Sequence, residues 1–174
     1  MKSQQLRKLI LTALLAALTC IATTLIQMPS PLGGYYNLGD CFVLTGAFLL
    51  GPVYGACAGG IGSMLADLLL GYSTYAPATL IIKGLMAAVA ALLSRALSKR
   101  PYAGMLLGSL AGEITMAGGY FLFELALYGS AAVESLLMTN LPQGAVGLIC
   151  AALLYTLLDK THLLKKLRGE LQNV

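Results

Sequence analysis

Three ionisable side chains inside apolar stretches of this sequence stand out: Asp67, Lys83 and Glu113. A charge within such a stretch costs about 2.5–3.5 kcal/mol on membrane-insertion scales, so each needs a partner or a purpose. A carboxylate and a lysine could serve as acid and base in a small membrane enzyme, pair as a structural salt bridge, or line a polar cavity for a water-soluble ligand. Glu113 lies about 11 residues into a span that starts on the inner side, near the midplane at roughly 16 Å depth. Lys83 lies about seven residues from the outer end of its span and Asp67 about four from the outer end of its own. Those depths allow an Asp67–Lys83 or a Lys83–Glu113 pair.

Other polar groups converge on the same half. Glu113, Met116, Tyr120 and Glu124 follow helical spacing and share roughly one face. Asn140, Gln143 and Gly147 do the same at the outer start of the last span, where Asn140 is placed to cap a helix. The outer loops add Tyr35, Tyr36, Asn37 and Asp40 on one side, and Tyr72, Tyr75 and Thr79 on the other. Tyrosines at a membrane boundary commonly form an aromatic belt. Clustered with amides and carboxylates, they suit a planar polar ligand, with rings to stack on it and amides to fix its edges. The candidate binding set is Asn37, Asp40, Asp67, Tyr75, Thr79, Lys83, Glu113, Tyr120, Asn140 and Gln143.

The elements that must hold these groups are membrane helices. The chain has 174 residues, 58% of them hydrophobic and 10% charged, with a mean hydropathy of +0.82. Soluble domains carry about 25% charged residues, so lipid must be the solvent. Ten of the 11 basic residues flank the spans on one side: Lys2, Arg7 and Lys8; Arg95, Lys99 and Arg100; Lys160, Lys165, Lys166 and Arg168. The eleventh is Lys83. The positive-inside rule makes both termini cytoplasmic and the number of spans even. Pro52, Pro77, Pro101 and Pro142 each open an apolar run, where a missing N–H costs least. Six spans follow: Leu9 to Met28, Gly39 to Leu50, Pro52 to Gly71, Ala76 to Leu97, Tyr102 to Tyr128 and Leu141 to Leu158. The first is long enough to be retained as a span rather than cleaved as a leader. The second, at about 12 residues, is short for a full crossing. The expected fold is an all-α six-transmembrane-helix bundle in one domain over residues 1–174. Outer loops Pro29 to Leu38, Tyr72 to Tyr75 and Gly129 to Asn140 contain no Lys or Arg.

Small residues recur at i, i+4: Gly55, Gly59 and Ser63 in the third span, Gly104, Gly108 and Gly112 in the fifth, and Ala13 with Ala17 in the first. Such ridges let helices approach closely in lipid. The basic residues flank spans and form no groove with interleaved aromatics, so anionic inner-leaflet lipid suits them better than nucleic acid. Cys20, Cys41, Cys57 and Cys150 lack CxxC spacing and read as small buried thiols, without disulfide or metal role. His162 reads as a solvated tail residue. No G-x-x-x-x-G-K-[ST] occurs, no Ser–His–Asp set can be assembled and no metal-ligand cluster exists, so no cofactor is expected.

The motifs Gly34-Tyr35-Tyr36-Asn37-Leu38-Gly39-Asp40, Leu50-Gly51-Pro52, Gly59-Gly60-Ile61-Gly62-Ser63, Ala66-Asp67 and Ala76-Pro77-Ala78-Thr79-Leu80-Ile81-Ile82-Lys83-Gly84 carry a family likeness. Together with Gly112-Glu113, Gly119-Tyr120-Phe121, Asn140 and Gln143, the chain resembles the membrane S components of energy-coupling factor (ECF) vitamin importers, riboflavin-type group. The resemblance implies a six-helix bundle, termini inside, that captures a micronutrient from outside. It implies docking on one transmembrane coupling subunit and two ATPases, which use the ATP, in the cytoplasmic membrane of a bacterium. The family's AxxxA docking motif is matched by Ala13-Leu14-Leu15-Ala16-Ala17, and the fold serves riboflavin, pyridoxine, pyrimidine precursors and folate alike. A non-enzymatic binding subunit is the reading favoured. A stand-alone carrier and a small multipass enzyme using Glu113 and Lys83 are the alternatives.

Overall fold

The computed structural model describes residues 3–29, 35–164 and 166–167. Lys2, Pro31, Gly34, Lys165 and Arg168 lie outside them. Helix α1 (Ser3–Leu25) leads into a hairpin of β1 (Gln27–Pro29) and β2 (Tyr35–Asn37), paired antiparallel with Gln27 opposite Asn37 and Met28 opposite Tyr36. Helices α2 (Gly39–Leu50), α3 (Pro52–Leu70), α4 (Ala76–Ala96) and α5 (Pro101–Tyr128) follow. The last helical stretch is α6 (Ala131–Ser135), a π segment (Leu136–Asn140) and α7 (Leu141–Lys160). Among the described residues five helices are long and apolar enough to cross a membrane, and α2 is a shorter apolar helix of 12 residues. The chain is an all-α membrane protein with a two-stranded hairpin: β2 lies where a plain loop was expected, and β1 takes Gln27 and Met28 from the expected first span, because α1 ends at Leu25.

Helix α2 is short because protein, not lipid, surrounds it. Twelve residues rise about 18 Å, and α2 packs against α1, α3, α4, α5 and α7. Only Phe42 and Leu49 along its length escape full burial. Gly51, at φ 84°, turns the chain directly into α3. Pro52, Pro77 and Pro101 sit at helix starts as expected.

Pro142 does not open a helix. The stretch expected as a loop, Gly129 to Asn140, is helical from Ala131 onward, so Pro142 falls inside a continuous helix. A proline there cannot donate to the carbonyl four residues back and its ring crowds that carbonyl. The chain answers with a wider turn just before it, in which Leu141 N–H bonds to Leu136 O. The freed carbonyl of Met138 accepts the hydroxyl of Tyr36 from the hairpin.

The small-residue ridges of α3 and α5 are helix contacts, whereas Ala13 and Ala17 on α1 are exposed. A Cβ on Gly55 would come within 2.8 Å of Ala47 Cα in α2, and one on Gly60 within 2.6 Å of Leu80 O in α4. Gly104, Gly108 and Gly112 lie against the α4 carbonyls of Ser94, Ala90 and Met86. Large apolar side chains such as Leu14, Leu69, Ile81, Ile114 and Leu153 are exposed, a surface suited to lipid. Of the four free thiols only Cys41 is buried; Cys57 is exposed, contrary to expectation, because it points away from the α3 interfaces.

Gly55→Ala should therefore destabilise the bundle by about 1–3 kcal/mol through overpacking. Gly118→Ala should be neutral or slightly stabilising, because nothing lies within 4 Å of its added carbon. Thermal unfolding of both variants in detergent checks the contrast.

Candidate functional site

The site is built on a buried charge pair. Asp40, in the first turn of α2, is fully buried, and Lys83 of α4 forms an ion pair with its Oδ1. Lys83 Nζ also lies 5.6 Å from the centroid of the Tyr120 ring, a cation–π arrangement. This corrects the sequence expectation: Lys83 pairs with neither Asp67 nor Glu113. Gln143 of α7 donates from Nε2 to Asp40 Oδ2 at 2.7 Å, and its Oε1 accepts from Asn37 Nδ2 at 3.1 Å. Asn37 Oδ1 accepts the Gly39 N–H at 2.9 Å. The chain of bonds orients both side-chain amides, since a nitrogen facing a carboxylate leaves the oxygen facing the next donor.

Above this layer lies a small, partly open cavity lined mainly by polar side chains. It opens at the end of the bundle opposite the basic helix ends. The hairpin contributes Tyr35 and Asn37, the end of α3 Asp67, and the following turn Tyr72. The start of α4 brings Tyr75 and Thr79, and α5 brings Tyr120 and Glu124. Thr139, Asn140 and Gln143 come from the last helical stretch. Tyr35 donates to Asp67 Oδ1 at 2.6 Å, Tyr120 to Thr79 Oγ1 at 3.0 Å and Asn140 Nδ2 to Glu124 Oε2 at 3.2 Å. Burial, with the Asp67 carboxylate beside it, raises the Tyr35 phenol well above its ordinary pKa, so it remains a donor. The rings of Tyr35 and Tyr72 lie 5.0 Å apart, centroid to centroid.

Of the ten candidate residues, seven line this cavity: Asn37, Asp67, Tyr75, Thr79, Tyr120, Asn140 and Gln143. Asp40 and Lys83 lie beneath it as the pair that holds Gln143. Glu113 is apart. It is 5% exposed, neither oxygen has a hydrogen-bond partner, and it faces a mostly apolar groove between α5 and α7 with Leu110, Ile114 and Leu148. Gly144 and Gly147 leave room for it, since a Cβ on Gly144 would sit 3.3 Å from its carboxylate. Asn140 is not a cap; its backbone is helical and its side chain bonds to Glu124. Thr139 was missed by sequence reasoning, although its i, i+4 spacing to Gln143 would have signalled a shared face had the segment been read as helix.

The sequence model of the family described as "ECF-type riboflavin transporter, S component" matches residues 3–160. The chain belongs to this family. Its relatives include the "Thiamine precursor transporter HmpT" of Lactococcus lactis subsp. cremoris (strain MG1363), 32% identical over 170 residues, 97% of each chain. An "Uncharacterized protein in gap 3'region" of Pyrococcus woesei is 35% identical over 141 residues, covering 80% of this chain and 93% of that protein. This S component is a transport subunit, not an enzyme: it is the substrate-specific part of an ECF importer for a vitamin or vitamin precursor.

Removing one partner of a buried ion pair strands the other charge. Lys83→Met should destabilise the S component by about 3–5 kcal/mol, and adding Asp40→Asn should restore part of the loss. Thermal unfolding in detergent reads both variants. Equal losses in the single and double variants would show that the pair does not hold the fold.

Proposed function

We propose that this S component captures a flat, water-soluble heterocycle from outside in the cavity beneath the hairpin and delivers it through an ATP-driven module. One observation carries the reading: tyrosines, oriented amides and two carboxylates converge on an open cavity whose floor is fixed by the Asp40–Lys83 pair. Asn37, Asp67, Tyr75, Thr79, Tyr120, Asn140 and Gln143 contact the ligand, with Asp40, Lys83 and Glu113 behind them. The Lactococcus relative, named a thiamine precursor transporter, supports a ligand of the vitamin-precursor class.

In this reading the whole chain, residues 1–174, is one domain of six helices. Helix α2 counts as the second, and both termini are cytoplasmic. The placement of the basic residues supports that orientation. Tyr102 at the start of α5 bonds to Asp159 near the end of α7 at 2.7 Å, and Lys8 of α1 lies 6.0 Å from the Tyr54 ring centroid at the start of α3. The first contact joins the basic ends of α5 and α7, and the second sets the basic start of α1 beside the start of α3, which supports that orientation. The protein resides in the cytoplasmic membrane of a bacterium. It docks on one transmembrane coupling subunit associated with two ATPases, through the α1 face that carries Ala13 and Ala17. Both alanines are exposed, free of the bundle's internal packing.

Mass spectrometry of small molecules retained through detergent purification should find a heterocyclic vitamin or precursor. Retention of lipid alone by active protein would overturn the reading. Ala13→Trp and Ala17→Trp should abolish transport and co-purification with the coupling subunit while leaving ligand affinity within about twofold, or about 0.4 kcal/mol. Unchanged transport by both variants would put docking on another helix.

A further inference from the structure

The cavity is acidic on its walls and has no cation to balance them. Asp67 and Glu124, each 5% exposed, enter it from α3 and α5. No Lys, Arg or His lines it among the described residues, and residues 30–34, Ser-Pro-Leu-Gly-Gly, supply none. Lys83, which lies beside the Tyr120 ring, is paired with Asp40 below the floor.

The open hydrogen-bonding positions are also unequal. Asp67 Oδ2 is buried with no close partner, although Oδ1 accepts from Tyr35 and the Thr79 hydroxyl also interacts with the carboxylate. Glu124 Oε1 receives only a long bond from Tyr75, at 3.4 Å. Because Asn140 gives its amide nitrogen to Glu124, its oxygen remains an acceptor. Opposing these are the second N–H of Gln143 and of Asn37. The start of α4 offers no anion nest, because the N–H groups of Tyr75 and Ala76 bond to Tyr72 O and Pro77 has none. A buried carboxylate oxygen without a donor is costly, and a ligand N–H relieves that cost. An anionic ligand would meet like charge, with only the amide N–H groups of Gln143 and Asn37 and the already paired Lys83 below them to offset it.

We infer that the cavity selects its ligand by charge. It takes a neutral or cationic flat heterocycle whose amino or protonated ring nitrogens donate to Asp67 and Glu124, and it rejects the phosphate- or carboxylate-bearing forms. This rests on the proposal that the cavity is the capture site.

The test is equilibrium dialysis of the purified full chain in detergent with three matched pairs. These are a hydroxymethyl-substituted aminopyrimidine, thiamine and riboflavin, each against its own phosphate monoester. At least one parent compound should bind, with its phosphate ester weaker by roughly a hundredfold or more. Asp67→Asn, which keeps an acceptor for Tyr35, and Glu124→Gln should each weaken the parent and narrow that ratio by about tenfold or more. Glu134→Gln removes an exposed carboxylate on α6 outside the cavity and should leave the ratio unchanged. Equal affinity for a parent and its ester, or a ratio untouched by both cavity variants, overturns charge selection and leaves the capture site standing. Binding of a phosphate ester in preference to its parent does the same. Binding of no compound in any pair overturns charge selection and the capture reading together.

Discussion

The Asp40–Lys83 ion pair is the interaction on which the arrangement of this S component depends. Two opposite charges near the middle of an apolar bundle are tolerated only if each is matched and hydrogen-bonded. Matching them fixes α2 against α4, and the bond from Gln143 to Asp40 adds α7. Asn37 then ties the hairpin to Gln143, so one chain of polar contacts registers four elements that lipid gives no hydrophobic reason to assemble. Small residues make this registry possible. Gly147 faces both Glu113 and Asp40, and a Cβ there would come within 2.9 Å of Asp40 Cβ, pushing α7 off the pair.

The same layer divides the molecule. Below it the interior is mostly apolar, with Leu44, Met86 and Met116 fully buried and α5 lying on α4 through glycines, and with Ser109 and the carboxyl of Glu113 buried among them. Above it the polar groups belong to helix ends, a turn and a hairpin, the parts of the chain that can change without disturbing the bundle. The roof is light, a hairpin of three residue pairs joined to the last helical stretch through Tyr36 and Met138. A firm floor under a light roof suits a protein that binds without catalysing, since the ligand must enter and later leave.

Much of this was legible in the sequence. Proline and glycine positions gave the ends of α2, α3, α4 and α5 to within about a residue or two, and the basic residues gave the orientation now proposed. The partner of Lys83 was not legible, because depth was counted along each span as if all began at the same plane. Helix α2 begins deeper, inside the protein, and that brings Asp40 to the level of Lys83. Glu113 shares a helical face with Tyr120 and Glu124, yet 11 residues of helix put it about 16 Å below Glu124, too deep to reach the cavity. Thr139 was hidden by the reading of Pro142 as a helix start. Only the π turn, a response to the missing N–H of that proline, reveals the preceding residues as helix.

The most direct test of the account is the position of the ligand itself, mapped by crystallography or NMR in protein purified with its bound compound. The account predicts a ring system above the Asp40–Lys83 layer, within hydrogen-bonding distance of Asp67 and Glu124 and bounded by Tyr35 and Gln143. A ligand found in the groove beside Glu113 and Ile149, or at the inner end near Arg95, would contradict it.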